Sequence, residues 1–75
     1  MAKAFILLSQ EPGTPPIINE IRRIPEAVET FPVYGVYDLI VKVETKTMRE
    51  LKDIVNYQIR RIEGITATLT MIVID

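Results

Sequence analysis

Cysteine and histidine are both missing from these 75 residues. Without cysteine there is no disulfide and no thiolate metal site. Without histidine the commonest general base and metal ligand is gone. An excess of charge of either sign is missing too: the formal net charge is -1 and the pI about 5.4. No basic face marks a nucleic-acid binder. The longest apolar runs are too short to span a bilayer, and Met1-Ala2-Lys3 leads straight into a strand pattern with no signal peptide. These absences leave a soluble cytoplasmic protein with no metal or cofactor, no direct hold on nucleic acid and none on a membrane.

What is present is apolar. Hydrophobic residues make up 48% of the chain, a large share for one small domain spanning residues 1–75. A chain of this length buries only about 60% of the surface that its unfolded form exposes, so a lone copy is marginal. With disulfides and metals excluded, self-association is the remaining compensation.

The pivotal stretch is Tyr34 to Glu44. Gly35, one of three glycines, stands where the chain must reverse, and glycine takes a positive φ without steric cost. From Tyr37 the pattern alternates: Tyr37, Leu39, Val41 and Val43 one way, Asp38, Ile40, Lys42 and Glu44 the other, as in a half-buried strand. Ala4 to Leu8 is a continuous apolar run that reads as a central strand buried on both faces. Thr14-Pro15-Pro16 opens a helix with Thr14 as a cap; Ile17, Ile21 and Ile24 form its stripe and Pro25 its stop. Ala27 to Val33 is a weaker strand, and Pro32 puts it at an edge.

Thr47-Met48-Arg49-Glu50 fits a capping box. Met48, Leu51, Val55, Ile59 and Ile62 follow as the buried stripe of a second helix, closed by Gly64. Ile65 to Ile74 is the last strand. Ile65, Ala67, Leu69, Met71 and Val73 take one face, and Thr66, Thr68, Thr70, Ile72 and Ile74 the other.

The order βαββαβ predicts an α+β ferredoxin-like sandwich: a four-stranded antiparallel sheet with two helices on one face. Right-handed crossovers place the first and third strands in the middle. The uncovered face is expected to carry Ile40, Ile72, Ile74, the threonine row and Lys42. So apolar a face predicts a homodimer joined sheet to sheet, a dimeric α+β barrel type of association.

Three blocks resemble one family. Gly35-Val36-Tyr37-Asp38 is similar to the G-x-Y-D turn of the ligand-binding (RAM) domain of Lrp/AsnC regulators. Ile24-Pro25-Glu26-Ala27-Val28 resembles that domain's lead into its second strand, and Ile62 to Thr70 its approach to the last. The blocks occur in the family's order and spacing and span nearly the whole chain. The resemblance implies dimers through the sheets, further assembly typically to octamers, and amino-acid effectors held between subunits. It implies that Tyr34, Gly35, Val36 and Tyr37 contact the ligand through their backbone and that Asp38 takes its ammonium. Thr68, Thr70, Met71 and Ile72 then line the site from the last strand, with Met48 near the ligand's side chain. Because the first strand begins almost at residue 1, the resemblance is to a stand-alone domain without the helix-turn-helix reader. Tyr34 departs from the small residue frequent in the family.

Each of these residues has a plainer reading. Asp38 can bond its own turn or pair with an arginine. The threonines can be ordinary strand formers. Gly35 can serve the turn alone. Arg60 and Arg61 read as solvated helix ends. Three functions follow: an effector-binding assembly module that works with full-length Lrp/AsnC regulators, an ACT-like regulatory subunit of a metabolic enzyme, or a small enzyme. The last would depend on Asp38, Tyr34 or Tyr37, with no paired carboxylates in sight, so the protein is read as a non-enzyme.

Overall fold

The structure is a computed structural model and describes residues 1–74. Strand β1 (Ala2–Gln10) leads to helix α1 (Ile18–Arg22), then β2 (Ala27–Pro32) and β3 (Leu39–Thr45). Helix α2 (Met48–Asp53) continues as a π-helical segment over Ile54–Ile59, and β4 (Ile65–Ile72) closes the sheet. The sheet order is β2-β3-β1-β4, with every neighbour antiparallel. This is the expected ferredoxin-like sandwich, with β1 and β3 in the middle and the Pro32 strand at an edge.

The core lies between the helices and the sheet. Ala4, Ile6 and Leu8 of β1 and Leu39, Val41 and Val43 of β3 meet Ile17, Ile21, Leu51, Ile54, Val55 and Ile59 from the helical layer. Alternation explains the strand residues: every second side chain faces one way. The other face of β1 is only half buried at Phe5 and Leu7, so the strand is central but not covered on both sides as expected.

Four local expectations need correction. Thr14 does not cap α1. Its hydroxyl donates to the Glu11 carbonyl at 2.6 Å and closes the turn there, and the short helix begins at Ile18 after the two prolines. Tyr37 is outside β3, which starts at Leu39; residues 33–38 form a six-residue loop rather than a tight turn. The second helix is capped as expected, Glu50 N–H donating to Thr47 Oγ1 at 3.2 Å, but it widens at Ile54, where Arg60 N–H reaches Val55 O at 3.0 Å. An unbroken α-helix would carry Ile59 about 80° round from Leu51. The wider turn advances less per residue and returns Ile59 to complete burial. Met48, by contrast, stands exposed at the start of α2.

The fourth correction concerns β4, whose faces are the reverse of those expected. Ile72, Thr70 and Thr68 sit opposite Ala4, Ile6 and Leu8, on the helical side. Met71 and Leu69 sit opposite Phe5 and Leu7, on the open side. Ser9 pairs with Ala67 but Gln10 with Ile65, so Thr66 is an extra residue at a bulge. Alternation inverts across a bulge. Counting from Ile65, which does pack on the core, therefore misplaces every later residue. The strand also stops at Ile72 rather than Ile74.

The open face thus carries Phe5, Leu7, Phe31, Ile40, Leu69 and Met71. Lys42 is set among them and pairs with Glu44 at 3.3 Å and Glu29 at 3.4 Å. The hydrogen bond to Glu44, then that to Glu29, holds the Lys42 ammonium above its ordinary pKa, against a smaller opposing effect of burial. No helix among the described residues is long and apolar enough to cross a membrane.

Candidate functional site: the β2–β3 loop and its clefts

The loop between β2 and β3 is pinned at its base and open at its tip. Val33 N–H donates to Asp38 O at 3.0 Å, and Asp38 N–H to Leu8 O at 2.8 Å. Ser9 Oγ donates to Val36 O at 3.3 Å. Gly35 has φ +142, while no atom lies within 4 Å of the place a Cβ would take. The glycine is therefore needed for its conformation and not for space. Tyr34 and Val36 project fully into solvent on either side of it, and Tyr37 is half buried.

Asp38 is the one fixed charge of the loop. Its Oδ2 accepts the backbone N–H of Gln10 at 2.8 Å. A side-chain oxygen thus serves a β1 amide where the β1–β3 ladder ends. This is neither the bond to its own turn nor the arginine pair of the plainer readings. Oδ1 has no protein partner among the described residues. The carboxylate borders an apolar cleft of about 140 Å³ lined by Gln10, Pro16, Ile17, Ile18, Pro32 and Leu39. Gln10 also shapes this cleft: its Nε2 donates to Thr14 O and Thr14 Oγ1, both at 3.0 Å, and to Pro15 O at 2.7 Å. A spare carboxylate oxygen beside an apolar hollow suits a small molecule with an ammonium at one end and a hydrocarbon at the other.

The remaining candidate residues do not join this cluster within one chain. Thr68 lies on the Leu8 rung, but Thr70 and Ile72 lie two and four residues further along β1, about 7 and 13 Å away by strand rise. Thr70 and Ile72 line a separate groove of about 260 Å³ beside α2 and the π segment, with Leu51, Lys52, Val55, Asn56 and Arg60. Met71 faces the opposite side of the sheet. Met48 follows the far end of β3, which is seven residues long. Sequence reasoning missed Gln10 and the groove. Gln10 gave no signal: its backbone bond to Asp38 depends on strand register, and nothing in the loop sequence marks the bonds of its side chain to Thr14, Pro15 and Ile17. Lys52, Asn56 and Arg60 gave a weak one, recurring every fourth residue on the wet side of a helix. Among the described residues no three acids lie close enough to hold a metal ion.

Comparisons with known proteins agree with this architecture. Residues 3–75 match the family described as the Lrp/AsnC ligand binding domain. The HTH-type transcriptional regulator FL11 of Pyrococcus furiosus is 36% identical over 72 residues, 95% of this chain and 47% of that protein. The chain thus spans about half the length of such a regulator. The crystal structure of FFRP-DM1 has a TM-score of 0.93 and 41% identity, covering 99% of this chain and 100% of that one. A homocitrate synthase of Sulfurisphaera tokodaii is 36% identical over 61 residues, 81% of this chain but only 13% of the enzyme. The matched family is one of ligand-binding domains and not of catalysts, and this chain belongs to it: it is an Lrp/AsnC ligand-binding domain.

Proposed function

We propose that this chain is an amino-acid-responsive assembly module in transcriptional control. The observation that carries the reading is the spare oxygen of Asp38 at the mouth of the cleft formed by Pro16, Ile17, Ile18, Pro32 and Leu39. The effector's ammonium pairs with Asp38, its apolar side chain enters the cleft, and backbone groups of Tyr34 to Tyr37 meet its carboxylate. Thr68, Thr70, Met71, Ile72 and Met48 are too scattered in one copy to share this ligand. On this reading a neighbouring copy brings them to it, so binding and assembly are linked: a ligand held between copies shifts the equilibrium by its differential affinity.

The open sheet face supports a homodimer; further association of dimers, up to octamers, is what the resemblance to the Lrp/AsnC family implies. Similarity to a longer HTH-type regulator supports co-assembly with full-length Lrp/AsnC proteins. A second reading, regulation of a metabolic enzyme, is favoured by one observation: the related stretch inside homocitrate synthase. The ACT-like form of that idea gives way to the family match.

The test is light scattering with each of the twenty common amino acids. One or more should change the mass or raise the melting temperature. Asp38→Asn keeps an acceptor for the Gln10 N–H and removes the charge, so it should stay folded and lose the response. A mass and melting temperature that ignore every amino acid would refute the sensor reading.

A further inference from the structure

The charges of the open sheet face gather at one end of it. Lys3 and Glu44 stand opposite each other on one rung of the central strands, and Lys42 stands opposite Glu29 on β2. Further along, the rung of Phe31, Ile40, Leu7 and Leu69 is wholly apolar. Lys42 bonds both Glu44 and Glu29, so this trio carries one surplus negative charge. Lys3 is exposed and, among the described residues, forms no salt bridge. Each copy thus presents a surplus acid and an unmatched cation side by side. Lys3 lies five residues along β1 from Leu8, whose carbonyl accepts the Asp38 N–H, about 17 Å by strand rise. The charged end shares no residue with the Asp38 cleft or with the groove beside α2.

We infer that this charged end selects a second copy of the chain and fixes how it docks: charged end meets charged end, with Lys3 of each copy on Glu44 of the other. The inference rests on the homodimer proposed above. A two-fold interface brings one patch against itself. An axis along the strands, midway between β1 and β3, exchanges the two members of every β1–β3 rung, and β2 with β4. It lays Lys3 over Glu44, Leu7 over Ile40 and Leu69 over Phe31. The apolar rung then covers itself, and the surplus acid of each trio meets the free cation of the other copy. Lys42 lays its hydrocarbon stem over Phe5, while Glu29 stays at the edge. An axis across the strands would instead set the charged rungs on apolar ones, taking charge out of water with no opposite charge to receive it. Complementarity of this kind acts chiefly against wrong partners and wrong orientations.

Light scattering over a dilution series tests this with Lys3→Glu, Glu44→Lys and their equimolar mixture. Lys3→Glu sets acid over acid, and Glu44→Lys sets cation over cation. Each alone should need at least about tenfold more protein than the wild type for half-association, as like charges brought together oppose docking. The mixture restores both opposite pairs and should associate within about threefold of the wild type. In 1 M sodium chloride, where the screening length is about 3 Å, Lys3→Glu should also come within about threefold of the wild type in the same salt. Glu44→Lys gives up a bond to Lys42, whereas Lys3 is exposed and makes none, so the salt series on Lys3→Glu decides without it. Unchanged half-association in Lys3→Glu, or a loss that neither salt nor the mixture repairs, would overturn the inference and leave the homodimer standing. A wild type that stays a monomer throughout the series would overturn both.

Discussion

Gln10 closes the connection from β1 to α1 with its own side chain. Its Nε2 faces three oxygens, those of the Thr14 backbone, the Thr14 hydroxyl and the Pro15 backbone, with only two hydrogens to give. Its Oε1 accepts Ile17 N–H at 3.4 Å. Truncation would leave the part-buried Thr14 carbonyl without this donor, a loss of about 1–3 kcal/mol. Gln10→Ala should therefore lower stability by about 2 kcal/mol in urea unfolding at fixed protein concentration. Gln10→Glu should cost more, because a carboxylate would face the same three oxygens. A loss below about 0.5 kcal/mol for Gln10→Ala, the range of an ordinary surface change, would show that solvent replaces the clamp. None of this was legible in the sequence. Asp38 stood out as an acid just after a turn glycine, but its bond to Gln10 crosses 28 positions. Such a bond depends on strand register, which no local pattern encodes.

The same limit operates at the level of elements. Order and sheet position followed from periodicity, because Ile6, Leu8, Val41 and Val43 have to alternate to fill one core. The facing of β4 did not follow, because one extra residue at Thr66 inverts it. The second helix shows a milder version. The spacing predicts a stripe of Met48, Leu51, Val55, Ile59 and Ile62, and the structure buries Leu51, Val55 and Ile59, adds Ile54, packs Ile62 partly and leaves Met48 out. The π segment has no distinctive composition, so no pattern in the sequence encodes its effect on Ile59. Ile59→Ala should cost about 2–5 kcal/mol, as for a large side chain lost from a close-packed core. Met48→Ala should cost under about 1 kcal/mol, since Met48 is exposed at the start of α2 and no part of the buried core. Chemical denaturation of the two variants checks the pair. Comparable losses would mean that Met48 is covered in solution, by a second copy or by a shift of α2.

At the scale of the whole molecule the unresolved pressure is the open sheet face. Phe31, Leu69 and Met71 are each 44–48% exposed, and Phe5, Leu7 and Ile40 lie between them. Contiguous apolar surface of this kind on a small domain is what the proposed sheet-to-sheet pairing would cover. Lys42 does not oppose that use. Its ammonium is matched by Glu44 and Glu29 on the same face, so apposing a second sheet would not strand an unpaired cation. The raised pKa of Lys42 keeps it charged at and well above neutral pH, and the pairing therefore persists under ordinary conditions. Leu69 is the sharpest place to probe, because it lies on the open face of an edge strand and contributes little to its own core. With copies joined through this face as proposed, Leu69→Lys should leave secondary structure unchanged and lower the mass seen by light scattering at micromolar concentration to that of a monomer. The monomer should then melt at a lower temperature, since stability from association is lost by mass action. Thr68→Lys, one residue away on the helical side, provides the contrast: it should disturb packing near Leu8 without the same change in mass. A wild type that is itself a monomer, or a Leu69→Lys variant that keeps a multimeric mass, would refute pairing through the open face, which would then have to be apolar for a reason other than self-association.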